Sequence, residues 1–172
     1  MRRTQAQRRA DTRASLLEAA AAVIVERGYQ GASVEQISAR AGCTKGALYD
    51  HFGSKEGLMR ALLEHQYAAR IAQFQNSPSL PPSQVFPFDR DAALLFLEFV
   101  CAAARDDQLR AQLAGQLREL RTLWVDALGD PDTVAAAAAG ANGASIEGLI
   151  FSEAEGGATF DRLLSALQAS NP

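Results

Sequence analysis

The side chains best equipped for chemistry are few and far apart. The chain has two cysteines, Cys43 and Cys101, separated by most of its middle, and two histidines, His51 and His65, without convincing partners. Neither pair has the spacing of a metal-ligand set or a disulfide framework, and no nucleophile lies beside a base in sequence. No glycine-rich phosphate loop is present either, so catalysis has little to stand on, and no metal or cofactor is expected. What is concentrated is positive charge. Arg2, Arg3, Arg8, Arg9 and Arg13 face only Asp11 at the start of the chain. Residues 1–65 carry ten Lys/Arg against seven Asp/Glu (+3), whereas residues 66–172 carry seven against thirteen (−6), which together give the net −3. A polyanionic partner belongs at the N-terminal end. The arginine-rich start reads equally as a disordered, solubilising arm or as a flexible strap along phosphates or a minor groove.

The elements that position these charges are helical. Leu16, Leu17, Ala20, Val23 and Ile24 recur at helical spacing and Gly28 follows Arg27 as a C-cap, which predicts a first helix over Asp11–Arg27. Ser33-Val34-Glu35-Gln36 is a capping box that opens a second helix at Val34, with Val34, Ile37 and Ala41 inward and a stop at Gly42. Thr44 caps a third short helix in which Leu48 and Phe52, four apart, point inward and Lys45, Gly46, Tyr49 and Asp50 point elsewhere. Two short helices joined around Gly42 make a helix-turn-helix. Ser54 caps a fourth helix, with Leu58, Leu62 and Ala69 inward, running to about Phe74. Cys43 sits in the turn, either as packing or as a redox group.

The stretch from Ser33 to Leu58, SVEQISARAGCTKGALYDHFGSKEGL, resembles the DNA-binding signature of the tetracycline-repressor (TetR) family, because a small residue, Lys45, Gly46, Leu48, Tyr49, Phe52 and the Ser54-Lys55 pair all fall in register. The resemblance implies an all-α fold, with a homeodomain-like helix-turn-helix head joined by a long helix to a C-terminal ligand-binding and dimerisation body. It also implies a contact set for double-stranded DNA. Ser33, Tyr49 and Lys55 would clamp phosphates, Thr44 and Lys45 would touch base edges, and His51 would join them. Gly46 would keep a side chain out of the way where the helix enters the major groove. Asp50 either accepts from a cytosine amino group or points to solvent.

The implied division is a head over residues 1–57, with its basic arm, and a sensing and dimerisation body over residues 58–172. Residues 76–87 hold four of the six prolines and form the boundary loop. Beyond it, helices are expected over Ala92–Ala104, Asp107–Leu128 with a possible break near Gly115, Thr133–Glu153, and Phe160–Leu167. Phe96, Phe99, Val100, Leu117, Leu120 and Trp124 either line an apolar pocket for a small-molecule effector or simply fill the core. Glu98 either orients a ligand or faces water. Ala136, Gly140, Ala144 and Gly148, spaced by four, form a ridge suited to close helix approach and resemble a homodimer interface. No apolar run reaches the roughly 20 residues needed to cross a bilayer. These readings imply a cytoplasmic, ligand-responsive transcriptional regulator that acts as a repressor. The alternative is a helical small-molecule or protein-binding module without DNA function.

Overall fold

Thr4 begins the first helix earlier than apolar periodicity alone predicts. Its hydroxyl oxygen accepts from the Gln7 N–H at 3.2 Å, and the Gln7 side chain accepts from the Thr4 N–H at 2.8 Å. This capping box satisfies two otherwise orphaned donors, and the following alanines and arginines extend the helix readily. The computed structural model describes residues 4–76 and 90–128, together with 130, 132, 134, 136–140, 162, 163, 165 and 166. Helix α1 spans Gln5–Gly31. The basic start is therefore helix from Gln5 onward, neither a disordered arm nor a flexible strap; Arg2 and Arg3 lie outside the described residues. Gly28 interrupts α1 with φ 71° and ψ 160°. That left-handed backbone suits glycine and places the C-terminal stop where the sequence expects it.

Helix α2 (Val34–Arg40) opens on the expected Ser33 capping box, and α3 (Lys45–Phe52) on Thr44. Between them Gly42 turns the chain at φ 65°, and the Cys43 N–H reaches back to the Ser38 carbonyl at 2.9 Å. Ala41 is half-buried at the end of α2, not in its core. Cys43 is half-buried too, its thiol 3.4 Å from the Ala41 carbonyl, as a packing residue would be.

Helix α4 (Lys55–Asn76) straddles the expected boundary between residues 57 and 58. Its buried side chains are Leu58, Met59, Leu62, Leu63, Tyr67 and Ile71. Ala69, expected inside, is exposed, because the ridge that packs runs at four-residue spacing through Met59, Leu63, Tyr67 and Ile71. Helix α5 (Arg90–Ala103) turns Leu95, Phe99 and Ala103 inward. Asp106 then caps α6 (Asp107–Leu128), accepting from the N–H groups of Gln108 and Leu109 at 2.9 and 3.0 Å. Helix α6 passes through Gly115 unbroken. A single apolar cluster joins Leu16 of α1 to Leu120 of α6: α1 packs on α2, α4 and α5, while α4 and α5 both pack on α6.

Gly57 fixes the angle between α3 and α4. A Cβ there would collide with the backbone carbonyl oxygen of Phe52, which cannot step aside. Gly57→Ala should therefore lower stability by about 1–3 kcal/mol, as overpacking against rigid atoms does. Gly115→Ala, which meets nothing within 4 Å, should raise stability by up to about 1 kcal/mol. Denaturant midpoints of the two variants moving in the same direction would contradict this assignment.

Candidate nucleic-acid interface

Helix α3 is held from behind and open in front. Leu48 is 0% exposed and Phe52 half-buried, whereas Tyr49 is 50% exposed and Thr44, Lys45 and Gly46 stand at the surface. Leu48 and Phe52, four apart, form the strip that packs inward, and Lys45 and Tyr49, also four apart, flank it at the surface. At Gly46 the head itself has no need of glycine: an added Cβ would meet only the Thr44 hydroxyl, at an ordinary 3.7 Å. The space in front of that position is free for something outside the chain.

Two expected contacts are also structural caps. The Thr44 oxygen accepts from the Ala47 N–H at 3.1 Å, and the Ser33 oxygen from the Gln36 N–H at 3.2 Å. Each hydroxyl retains its hydrogen as a donor. A carboxylate absent from the expected set stands between them: Glu35, on α2, forms an ion pair with Lys45. Hydrogen bonding from Lys45 holds the Glu35 carboxyl below its ordinary range, with Ser33 contributing in the same direction. Lys45 must exchange this exposed partner to touch a base, at small cost, since solvent screens such surface pairs. The pairing of Glu35 with Lys45 has no local sequence signal, because the two helices must first cross.

At the other end of α3, the His51 ring leans on Phe52 with centroids 5.9 Å apart. Burial, followed by the charges of Arg9 and Arg13, pushes its pKa below 6.5, with Asp50 opposing. The Asp50 side chain is exposed. Lys55 opens α4 apart from this face. Its ammonium lies 4.5 Å from the ring centroid of Tyr29, and burial lowers its pKa against the pull of Glu56.

Tyr29 also ties the head to the body. Glu98, on α5, accepts from the Tyr29 N–H at 2.9 Å, and its other oxygen lies 3.1 Å from where a Gly28 Cβ would be. Glu98 thus caps the kinked end of α1 from a half-buried position. In the body, Phe99, Leu120 and Trp124 are buried and Phe96 and Leu117 half-buried, but Val100 is 41% exposed. Val100 does not share the inner face: Leu95, Phe99 and Ala103 define it, and a step of one residue rotates about 100° away. Ala136 and Gly140 are half-buried, while Ala144 and Gly148 lie outside the described residues. Among the described residues no group of His, Cys, Asp and Glu could hold a metal ion, and no helix is long and apolar enough to cross a membrane.

The helical head, with its anchored and outward-facing third helix, defines a helix-turn-helix protein of the DNA-binding class. Residues 16–62 match the family described as "Bacterial regulatory proteins, tetR family". An uncharacterized HTH-type transcriptional regulator of Mycobacterium bovis is 36% identical over 129 residues, covering 68% of this chain and 66% of its own. The HTH-type transcriptional repressor NicS of Pseudomonas putida is 31% identical over 131 residues, covering 73% and 62%. The chain thus spans just under two thirds of the length of these relatives. The fold of the transcriptional regulator FadR from Bacillus subtilis, solved in complex with stearoyl-CoA, superposes with a TM-score of 0.74 at 17% identity over 92% of this chain and 99% of that one. This chain belongs to the TetR family of bacterial transcriptional regulators.

Gly46 separates folding from binding. Gly46→Ala should leave the head as stable as before or up to about 1 kcal/mol more stable, yet weaken duplex binding by placing a methyl group in the groove. Unaltered affinity in a titration of the folded variant with duplex would show that α3 does not approach DNA at Gly46.

Proposed function

We propose that this chain is a ligand-responsive repressor that binds a palindromic operator as a homodimer and leaves it when a small molecule occupies the body. The observation that carries the reading is the exposed surface formed by Lys45, Gly46 and Tyr49 on a helix that Leu48 anchors in the core. Thr44 and Lys45, at the N-terminal turn of α3, are placed for base edges, and Ser33, Tyr49, His51 and Lys55 for the backbone on either side. The head would comprise residues 1–57 and the body residues 58–172. A repressive sign agrees with the name carried by the Pseudomonas relative.

The body supports a sensor. FadR holds a stearoyl-CoA molecule in a fold of this kind. Here Phe96, Phe99, Leu117, Leu120 and Trp124 supply an apolar lining, and Gln116 on α6 keeps a buried amide oxygen without a hydrogen-bond partner among the described residues. That oxygen is a point of attachment for a ligand hydroxyl or amine. Coupling to the head runs through Glu98: a shift of α5 would pull on Tyr29, and through its ring on Lys55. A ligand acts on DNA affinity only as far as it prefers the shifted state. The small-residue ridge Ala136, Gly140, Ala144 and Gly148 would pair with its two-fold mate, setting the heads about 34–36 Å apart, one turn of duplex.

Selection of bound duplexes from a random pool by the full chain tests this reading. The expected result is an inverted repeat whose half-site centres lie about one helical turn apart. Recovery of no enriched sequence, with no salt-dependent retention of duplex, would leave a helical binding module without DNA function.

A further inference from the structure

Helix α1 brings two arginines onto the far end of α3. Arg9 and Arg13, one turn apart on the same face of α1, both reach the C-terminal turn of the presumed recognition helix. The Arg9 guanidinium donates to the Asp50 carbonyl oxygen at 3.5 Å, and the Arg13 guanidinium lies over the Phe52 ring, 5.4 Å from its centroid. Arg9 and its neighbour Arg8 are exposed, and Arg13 is half-buried. These are guanidinium groups on a capped, rigid helix, seated beside the surface that carries Lys45 and Tyr49. Burial first, and then their joint field, holds His51 toward its neutral form.

We propose that the first turns of α1, through Arg9 and Arg13 with Arg8 beside them, form a second and rigid phosphate-binding strip that grips the duplex backbone flanking the groove entered by α3. The inference rests on the DNA-binding reading of α3 and adds a surface to it. Three features support the strip over a purely structural role. Arg9 alone donates to a carbonyl at the end of α3, yet a second guanidinium converges here and a third is exposed nearby. The contacts to the Asp50 carbonyl and the Phe52 ring use part of each planar group, leaving N–H donors in the fork geometry that matches phosphate. Because Thr4 and Gln7 fix the helix start, the strip is ordered before DNA arrives and loses little freedom on binding.

The test is the salt dependence of binding of the full chain to a random-sequence duplex. Each phosphate neutralised contributes roughly 0.9 to the slope of log affinity against log salt. Arg9→Ala/Arg13→Ala should therefore flatten the slope by about 1.8. Arg9→Lys/Arg13→Lys, which keeps both charges but loses the fork and the ring contact, should retain most of it. If the double alanine variant does not fold, the single Arg9→Ala, at the surface, should still lower the slope by about 0.9. A wild-type slope in a folded alanine variant would overturn the strip, as would a lysine variant that loses as much as the alanine one, since the arginines would then serve only to hold α3. Wild-type protein that binds no duplex in a salt-dependent way would instead overturn the DNA-binding reading itself.

Discussion

The burial of Leu48 is the constraint on which the rest depends. With no surface exposed, this side chain plugs α3 into the core that α1, α2 and α4 share, and its loss to alanine would carry a cost of about 2–5 kcal/mol. A helix of eight residues has no stability of its own. Its rotation about its axis is set almost entirely by this one anchor, with Phe52 as the second point. Once Leu48 faces inward, Gly46, about 160° round the helix, faces outward, and Lys45 and Tyr49 stand at the surface on the flank between them. Gly57 completes the arrangement from the other side, since its missing side chain lets the start of α4 close against the Phe52 carbonyl.

Around that anchor the structure builds connections of two kinds. Apolar packing joins head to body without a seam, so that α1 touches α2, α4 and α5 together. Polar contacts then join particular points: Glu98 to the Tyr29 N–H, Gln112 to the Arg60 carbonyl at 2.9 Å, and Arg60 to Asp106 at 3.6 Å. The packing is insensitive to direction, whereas the hydrogen bonds require α5 and α6 to hold one position relative to α1 and α4. The body is therefore coupled to the head by contacts that a small displacement can break. Lys55, resting on the Tyr29 ring, ties the start of α4 to that junction.

The local features of the head were legible in the sequence. Capping residues Ser33, Thr44 and Ser54 and the inward pair Leu48 and Phe52 are short-range signals, and each is found where its neighbours predict it. The Thr4 box is of the same kind, but polar residues and arginines precede the apolar pattern there, so periodicity alone starts the helix six residues late, at Asp11 and not at Gln5. The contacts that couple distant residues were not legible. Glu35 meeting Lys45, Glu98 meeting Tyr29 and Arg13 meeting Phe52 depend on helix crossings, and no spacing along the chain encodes them. Val100 shows the related limit in an apolar helix: when nearly every position is hydrophobic, periodicity cannot say which one is left at the surface.

The central claim, that the outward face of α3 is the surface that meets DNA, is tested most directly by mapping backbone amide shifts of the full chain as duplex DNA is added. The account predicts that the largest changes fall on Thr44 to Tyr49, with α6 nearly silent. Changes centred on α5 and α6, with Thr44 to Tyr49 unmoved, would contradict it.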